Sequence, residues 1–317
     1  MERMHNLLAA LCCAAPLAHA AYPERPVRIV VPNTAGSGAD VVTRLVANRL
    51  TQAFGQQMVI DNRAGASGSI GTEIVARAVP DGHTLLMVTS QQANTAAISA
   101  KLPYDLVKDF AHVSLLASTP LILVVNPALP AASMRELIAL AKARPGSINY
   151  GSPGTGTAGH LATELFRSMA GIDIVHVPYK GTTPALTDTM SGQLQFTVLV
   201  ATAVIPSLKG GKLRALGVTG PRRTPLAPDL PAIAETVPGY EWTGWYGLAA
   251  PAGTPRERIA QIHAAQSQML KVAEFRERLA DLGADPIGST PQEYTEHIRR
   301  QIDKMRQAVK VSGLRME

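Results

Sequence analysis

Twice along this chain a short apolar strand runs into a loop of glycines and hydroxyls that opens directly into an amphipathic helix. The first unit reads Val27-Arg28-Ile29-Val30-Val31, then Pro32-Asn33-Thr34-Ala35-Gly36-Ser37-Gly38-Ala39-Asp40. Its helix carries Val42, Leu45, Val46, Leu50 and Ala53 on one face and stops at Gly55, and a strand follows over 58–60. The second unit has a strand over 147–150 and the loop Gly151-Ser152-Pro153-Gly154-Thr155-Gly156-Thr157. Its helix face is Ala158, Leu161, Ala162, Leu165, Phe166 and Met169, with Gly171 as the stop and a strand over 174–177. A strand, a helix and a strand in that order imply parallel pairing in an α/β sheet. Two such units about a hundred residues apart imply two lobes, each with its own sheet. Each loop sets free backbone N–H groups and the positive end of a helix dipole at one point, which suits an anion.

The rest of the chain continues the α/β rhythm. Strands are expected over 84–89, ending in the polar cluster Ser90-Gln91-Gln92-Ala93-Asn94, over 121–125 between Pro120 and Pro127, and over 195–199 and 213–218. Helices are expected from 133 to 143, with Ser133 as cap, and from 184 to 190. The stretch Trp242 to Pro251 reads as the crossing back between lobes, with both tryptophans as packing at a hinge and ligand contact as the alternative. The tail is helical: Thr254-Pro255-Arg256-Glu257 and Thr290-Pro291-Gln292-Glu293 both have the form of capping boxes with Pro at the first helical position. Tyr294, Ile298, Ile302, Met305 and Val309 form one face of the last helix, expected to pack on the first lobe.

The first twenty residues have an arginine, an apolar core and Ala18-His19-Ala20, the pattern of a Sec-type signal peptide cleaved after Ala20. Both cysteines of the chain, Cys12 and Cys13, fall within it. The mature chain is then expected to lack disulfides, thiolate metal sites and a cysteine nucleophile. No other apolar run approaches the roughly 20 residues of a membrane helix, so export to a periplasm is expected. The formal charge of +6 is scattered and aromatic content is 4%. Nucleic-acid binding wants clustered cations and stacking rings, so small anions fit better.

Chemistry-bearing motifs are sparse. Gly154-Thr155-Gly156-Thr157-Ala158-Gly159 is formally a dinucleotide fingerprint with Asp173 about twenty residues on. Its mid-chain position and the expected export argue for a small-anion loop instead. Neither a Walker A lysine nor a G-x-S-x-G elbow is present. The histidines lack metal-ligand spacing, so no metal site and no catalytic residue is assigned. Asp40 reads as a brace of the first loop, and His160 as a helix-surface or inter-lobe packing residue. An exported hydrolase acting on a small carboxylate, with Ser152 or His160 as its working group, stays open at this point.

Several segments, in order, carry a family resemblance. They are Tyr22-Pro23-Glu24-Arg25-Pro26-Val27-Arg28, Asp61-Asn62-Arg63-Ala64-Gly65, Pro80-Asp81-Gly82-His83-Thr84-Leu85-Leu86 and Asn149 to Thr157. His176-Val177-Pro178-Tyr179-Lys180-Gly181, Leu213 to Thr219 and Trp245 to Pro255 complete the set. Over nearly its whole length the mature chain resembles the Bug/TctC family of periplasmic solute-binding proteins of tripartite tricarboxylate transporters. It departs at Gly36-Ser37-Gly38, where paired glycines are usual, at Ala64 and His83, and at Gln91-Gln92-Ala93-Asn94. The first and last of these departures bear on ligand choice.

The resemblance implies a two-lobed periplasmic-binding-protein fold of type II-like form, α/β, with the ligand cleft between the lobes. The expected division is 21–122 plus 246–317 for lobe one and 123–245 for lobe two. The resemblance further implies a receptor, not an enzyme, that holds a small carboxylic acid and needs no cofactor. The implied contacts in the first lobe are Asn33, Thr34, Ala35, Gly36, Ser37 and Ser90. In the second they are Ser152, Thr155, Gly156, Thr157, Gly181, Thr182, Ala185 and Thr202. The implied partner of this monomer is a two-subunit membrane permease or, in some relatives, a sensor kinase.

Overall fold

The computed structural model describes residues 22–312 apart from 100, 180, 225 and 226, and leaves undescribed the side chains of 202, 206 and 308–312. The expected signal peptide and Lys180 therefore lie outside the described residues. The elements are β1 (Val27–Val31), α1 (Gly38–Phe54), β2 (Met58–Asn62), α2 (Ser69–Ala76), β3 (Thr84–Thr89), α3 (Ser90–Ile98) and β4 (Phe110–Val125). Next come α4 (Met134–Ala143), β5 (Asn149–Ser152), α5 (Ala158–Ala170), β6 (Val175–Pro178), α6 (Thr182–Ser191), β7 (Phe196–Val200), α7 (Ala201–Lys209) and β8 (Arg214–Val218). The chain ends with β9 (Thr243–Pro251), α8 (Arg256–Met269), α9 (Ala273–Asp281), β10 (Asp285–Pro286) and α10 (Pro291–Ser312).

Two sheets share one long strand. The order is β2-β1-β3-β9-β4-β7-β5-β6, with β10 and β8 also paired to β4. β1 pairs parallel with β2 and β3, and β5 parallel with β6 and β7, as the two repeated units require. β9 runs antiparallel between β3 and β4. Along β4 the partners change abruptly: Pro120 is the last residue opposite β9, and Leu121 the first opposite β7. Pro120 was expected to bound a strand that instead runs straight through it. A proline has no N–H to give a ladder, and here it falls where one ladder ends and the next begins. The following N–H, of Leu121, donates to Thr219 Oγ1 at 2.8 Å.

Both faces of each sheet are covered, so side chains alternate between two cores. Val27, Ile29 and Val31 of β1 enter one core of the first lobe, and Val30 enters the other. In β4, Leu121, Leu123 and Val125 face one core of the second lobe, and Ile122 and Val124 the other.

Three local expectations change. Ser90 to Asn94, read as the polar end of β3, is the first turn of α3. Thr254 does not cap α8: its hydroxyl donates to Pro251 O at 2.8 Å and the helix has no side-chain cap. The Thr290–Glu293 box does form, Thr290 N donating to Glu293 Oε2 at 2.8 Å and Glu293 N to Thr290 Oγ1 at 3.2 Å. The last helix packs beyond the first lobe. Tyr294, Ile298 and Ile302 enter a first-lobe core, whereas Met305 enters a second-lobe core. The side chain of Val309 lies outside the described residues.

Candidate functional site

A cavity of about 260 Å³ opens between the sheets, lined from both of the repeated strand, loop and helix units. The β1–α1 loop brings Asn33, Ser37, Gly38 and Ala39, and the β3–α3 junction brings Thr89, Ser90, Gln91 and Asn94. Thr119 and Leu121 come from β4, and Gly244, Trp245 and Tyr246 from β9. Thr155, Gly156, Thr157, Ala158 and Val200 form the opposite wall, and Ser67 enters from a 3₁₀ turn. Ser67 sits at φ 53°, a left-handed conformation rare for a residue with a side chain. None of the described lining residues is an Asp, Glu, Lys, Arg or His. Burial pushes the Tyr246 phenol up to about 12, so it too stays neutral.

The two loops are built differently. In the first, the buried Asp40 is a brace. Its carboxylate accepts from Gly36 N at 2.9 Å, from Asn62 Nδ2 at 3.1 Å and from both Arg44 Nε and Nη2. Burial alone would raise its pKa, but these hydrogen bonds outweigh it and hold the carboxyl below its usual range. Ser37 Oγ accepts from Asp40 N, so α1 is capped by its own residues and its positive end already faces a carboxylate. α3 likewise begins with a Thr89–Gln92 capping box, whereas the N–H groups of Gly38 and Ala39 at the start of α1 have no acceptor among the described residues.

The second loop is braced from beneath. His160 is buried, and its Nδ1 accepts the Gly156 N–H at 3.0 Å, which requires that nitrogen to be unprotonated. It stacks on His176 at 4.0 Å, and His176 Nε2 lies 2.7 Å from Ser152 Oγ. Tyr150 stacks on the other side of His176 and donates to Glu164 Oε1 at 2.6 Å. Burial pushes the pKa of His160 down and that of His176 to about 4, with the neighbouring ring adding to the latter. Thr157 Oγ1 donates to Gly154 O at 2.7 Å, and α5 has no side-chain cap. Leu161 N makes the first bond of the helix, to Thr157 O. The N–H groups of Ala158, Gly159 and His160 therefore have no acceptor among the described residues.

Of the sequence-expected contacts, Asn33, Ser37, Ser90, Thr155, Gly156 and Thr157 line this cavity. Thr34, Ala35, Gly36, Gly181 and Thr182 do not, and Ser152 and Ala185 are fully buried behind the wall. Thr202 lies in α7, and its side chain is outside the described residues. Ser152 has the distance to a histidine that a hydrolase would want. With no exposed surface and its hydroxyl engaged in the loop, it has no path to a substrate. His160 is neither a helix-surface nor an inter-lobe residue but a support of the second loop. Ser67, Thr119 and Tyr246 were not anticipated, whereas Asn94 belongs to the stretch whose departure from the family pattern was expected to bear on ligand choice. Among the described residues no group of His, Cys, Asp and Glu could hold a metal ion, and no helix is long and apolar enough to cross a membrane.

Comparison with known proteins agrees with this geometry. The model of the tripartite tricarboxylate transporter family receptor matches residues 42–314. Protein BugT of Bordetella pertussis is 34% identical over 307 residues, which cover 96% of this chain and 94% of that protein. The structure of R. palustris Rpa4515 with adipate superimposes with a TM-score of 0.82 at 37% identity, over 92% of this chain and 98% of that one. MatC from Rhodopseudomonas palustris with bound malate superimposes with a TM-score of 0.77 at 31% identity, over 91% and 100% of the respective chains.

Proposed function

The chain belongs to the tripartite tricarboxylate transporter receptor family, and on that premise we propose that it captures a small carboxylate in the inter-lobe cavity and delivers it to a membrane transporter. Receptors of this family work in the periplasm and bind rather than transform their ligands. The observation that carries the carboxylate reading is the start of α5: free N–H groups at the positive end of a helix, meeting the cavity at Ala158. A carboxylate there accepts several charge-assisted bonds without a cationic side chain. The adipate and malate held by two similar proteins support the same ligand class.

In this reading Thr157 shapes the loop rather than gripping the ligand, because its N–H also donates to Gly154 O. Its hydroxyl hydrogen is engaged by Gly154 O and is not free for the ligand. Asn33, Ser37, Ser90, Thr155 and Gly156 complete the contacts. We take the lobes to divide near Pro120–Leu121 and Trp242–Thr243, on the support of the change of strand partner there. Cleavage after Ala20, a two-subunit permease and, as a second partner, a sensor kinase belong to the same proposal.

Thr157→Asp tests it. An aspartate is a preferred N-cap and sits in the extended conformation that Thr157 already has, so the fold should keep its stability. Its carboxylate would fill the anion position, and carboxylate binding measured by calorimetry should be lost. Unchanged affinity in the folded variant would rule out the α5 start as the grip.

A further inference from the structure

Four consecutive residues, Gly65, Ala66, Ser67 and Gly68, have positive φ: 125°, 45°, 53° and 86°. The two glycines are required by space as well. A Cβ at Gly65 would lie 2.6 Å from Ile70 Cδ1, and one at Gly68 2.3 Å from Gln92 Nε2. The turn is tied on several sides. Gly68 N donates to Gly65 O at 2.9 Å, Thr72 Oγ1 to Gly68 O at 2.8 Å and Thr95 Oγ1 to Ser67 O at 3.3 Å. Between the glycines stand two residues with side chains, in a region of backbone space that disfavours them. Glycine would take either position without strain. The two differ in what they reach. Ala66 lines only a groove on the outer surface, whereas Ser67 stands between that groove and the inter-lobe cavity and lines both. The Ser67 hydroxyl has no hydrogen-bond partner among the described residues. A strained side chain that reaches a binding cavity with its polar group unengaged points to a use for that group.

The surrounding wall shows which use. The N–H groups of Gly38 and Ala39 at the start of α1 have no acceptor among the described residues. Ser37, Ser90 and Tyr246 bring hydroxyls to the same wall. Tyr246 Oη lies over the α1 start, 2.8 Å from where a Cβ on Gly38 would stand. An acceptor placed here meets several donors at once, and a carboxylate is an acceptor only. A methyl end would leave those donors unpaired. We infer that Ser67 is a specificity-determining residue: its hydroxyl donates to an acceptor group at the end of the ligand remote from α5, and through that bond the protein favours diacids over monoacids of equal length.

This inference rests on the carboxylate reading above, and its test keeps the two apart. The protein is unfolded and refolded to strip bound ligand, then titrated calorimetrically near neutral pH with succinate, glutarate and adipate. Butanoate, pentanoate and hexanoate, the monoacids of equal length, are measured by displacement of the best diacid. Ser67→Ala keeps the strain and removes the hydroxyl, and Ser67→Gly removes both. Ala66→Gly relieves the same strain away from the cavity. In the natural chain the best diacid should bind more tightly than its monoacid. Both Ser67 variants should weaken the diacid by about tenfold or more, as for a lost hydrogen bond to a charged group, and leave the monoacid within about twofold. Ala66→Gly should leave both affinities as they are. Urea midpoints in the two glycine variants should be no lower than in the natural chain, and lower midpoints in both would deny the strain from which the inference starts. Full diacid affinity in Ser67→Ala overturns the inference and leaves carboxylate capture standing. Equal losses for diacid and monoacid also overturn it, because they would make Ser67 a support of the wall and not a contact of the ligand's far end. Binding of none of the probes by the natural chain overturns both readings.

Discussion

At the scale of single residues, the second loop depends on rings that must stay neutral. His160 can accept the Gly156 N–H only while Nδ1 is unprotonated, and His176 below it is held to about 4 by burial and by the adjacent ring. Both folded-state pKa values lie below the ordinary 6.5, so between about 6.5 and 4 the unfolded chain binds more protons than the folded one. Stability is therefore complete above that window and falls as the pH drops through it. The buried His112 and the half-buried His297, each lowered to about 4, add to the same slope. Urea midpoints should decline from neutral pH towards pH about 5. His160→Phe keeps the stack on His176 but offers Gly156 no acceptor, so it should lose part of that slope and bind ligand more weakly. A full slope with full affinity would deny the histidine its place under the loop.

At the scale of elements, α5 meets the sheet through Gly159, where an added Cβ would lie 2.3 Å from the carbonyl oxygen of Val198 in β7. Backbone cannot swing aside as a side-chain tip can, so Gly159→Ala should destabilise the protein by about 1–3 kcal/mol in chemical denaturation. It should also tilt the helix start that grips the anion, raising the dissociation constant. The repeated strand, loop and helix units were legible in the sequence because α1 and α5 carry apolar residues at helical spacing and end on glycines. α3 was not, because what it buries is Gln92, Ala93, Asn94 and Thr95, which leave no apolar stripe. The readable sign was Thr89 with Gln92 three residues on, a capping box hidden in what looked like a polar loop. Missing it left Gln91 and Asn94 noted only as a departure bearing on ligand choice and not as contacts. Ser152 stays out of the cavity lining because β5 extends two residues further than the pattern suggested and draws it into the wall. Tyr246 belongs to a strand and Ser67 to a left-handed turn, positions that no glycine loop advertises.

At the scale of the whole molecule, β4, β9 and α10 tie the lobes together. The two tryptophans report on different parts of that frame. Trp245 lines the cavity, and Trp242 lies in a second-lobe core. Ligand should change tryptophan emission in the natural chain and in Trp242→Phe, and much less in Trp245→Phe. The opposite pattern would mean that the emission reports a movement of the second-lobe core rather than occupancy of the cavity. The position of β9 has a consequence for the order of assembly. The second sheet draws on one continuous stretch, from Leu121 in β4 to Val218 in β8, whereas the first sheet needs β9 inserted between β3 and β4. A chain emerging from its N-terminus therefore presents β3 with an unfilled edge until Pro251 has appeared. The later-encoded lobe can fold as a unit before the earlier-encoded one closes, and for that interval the open edge is where mispairing with another chain threatens.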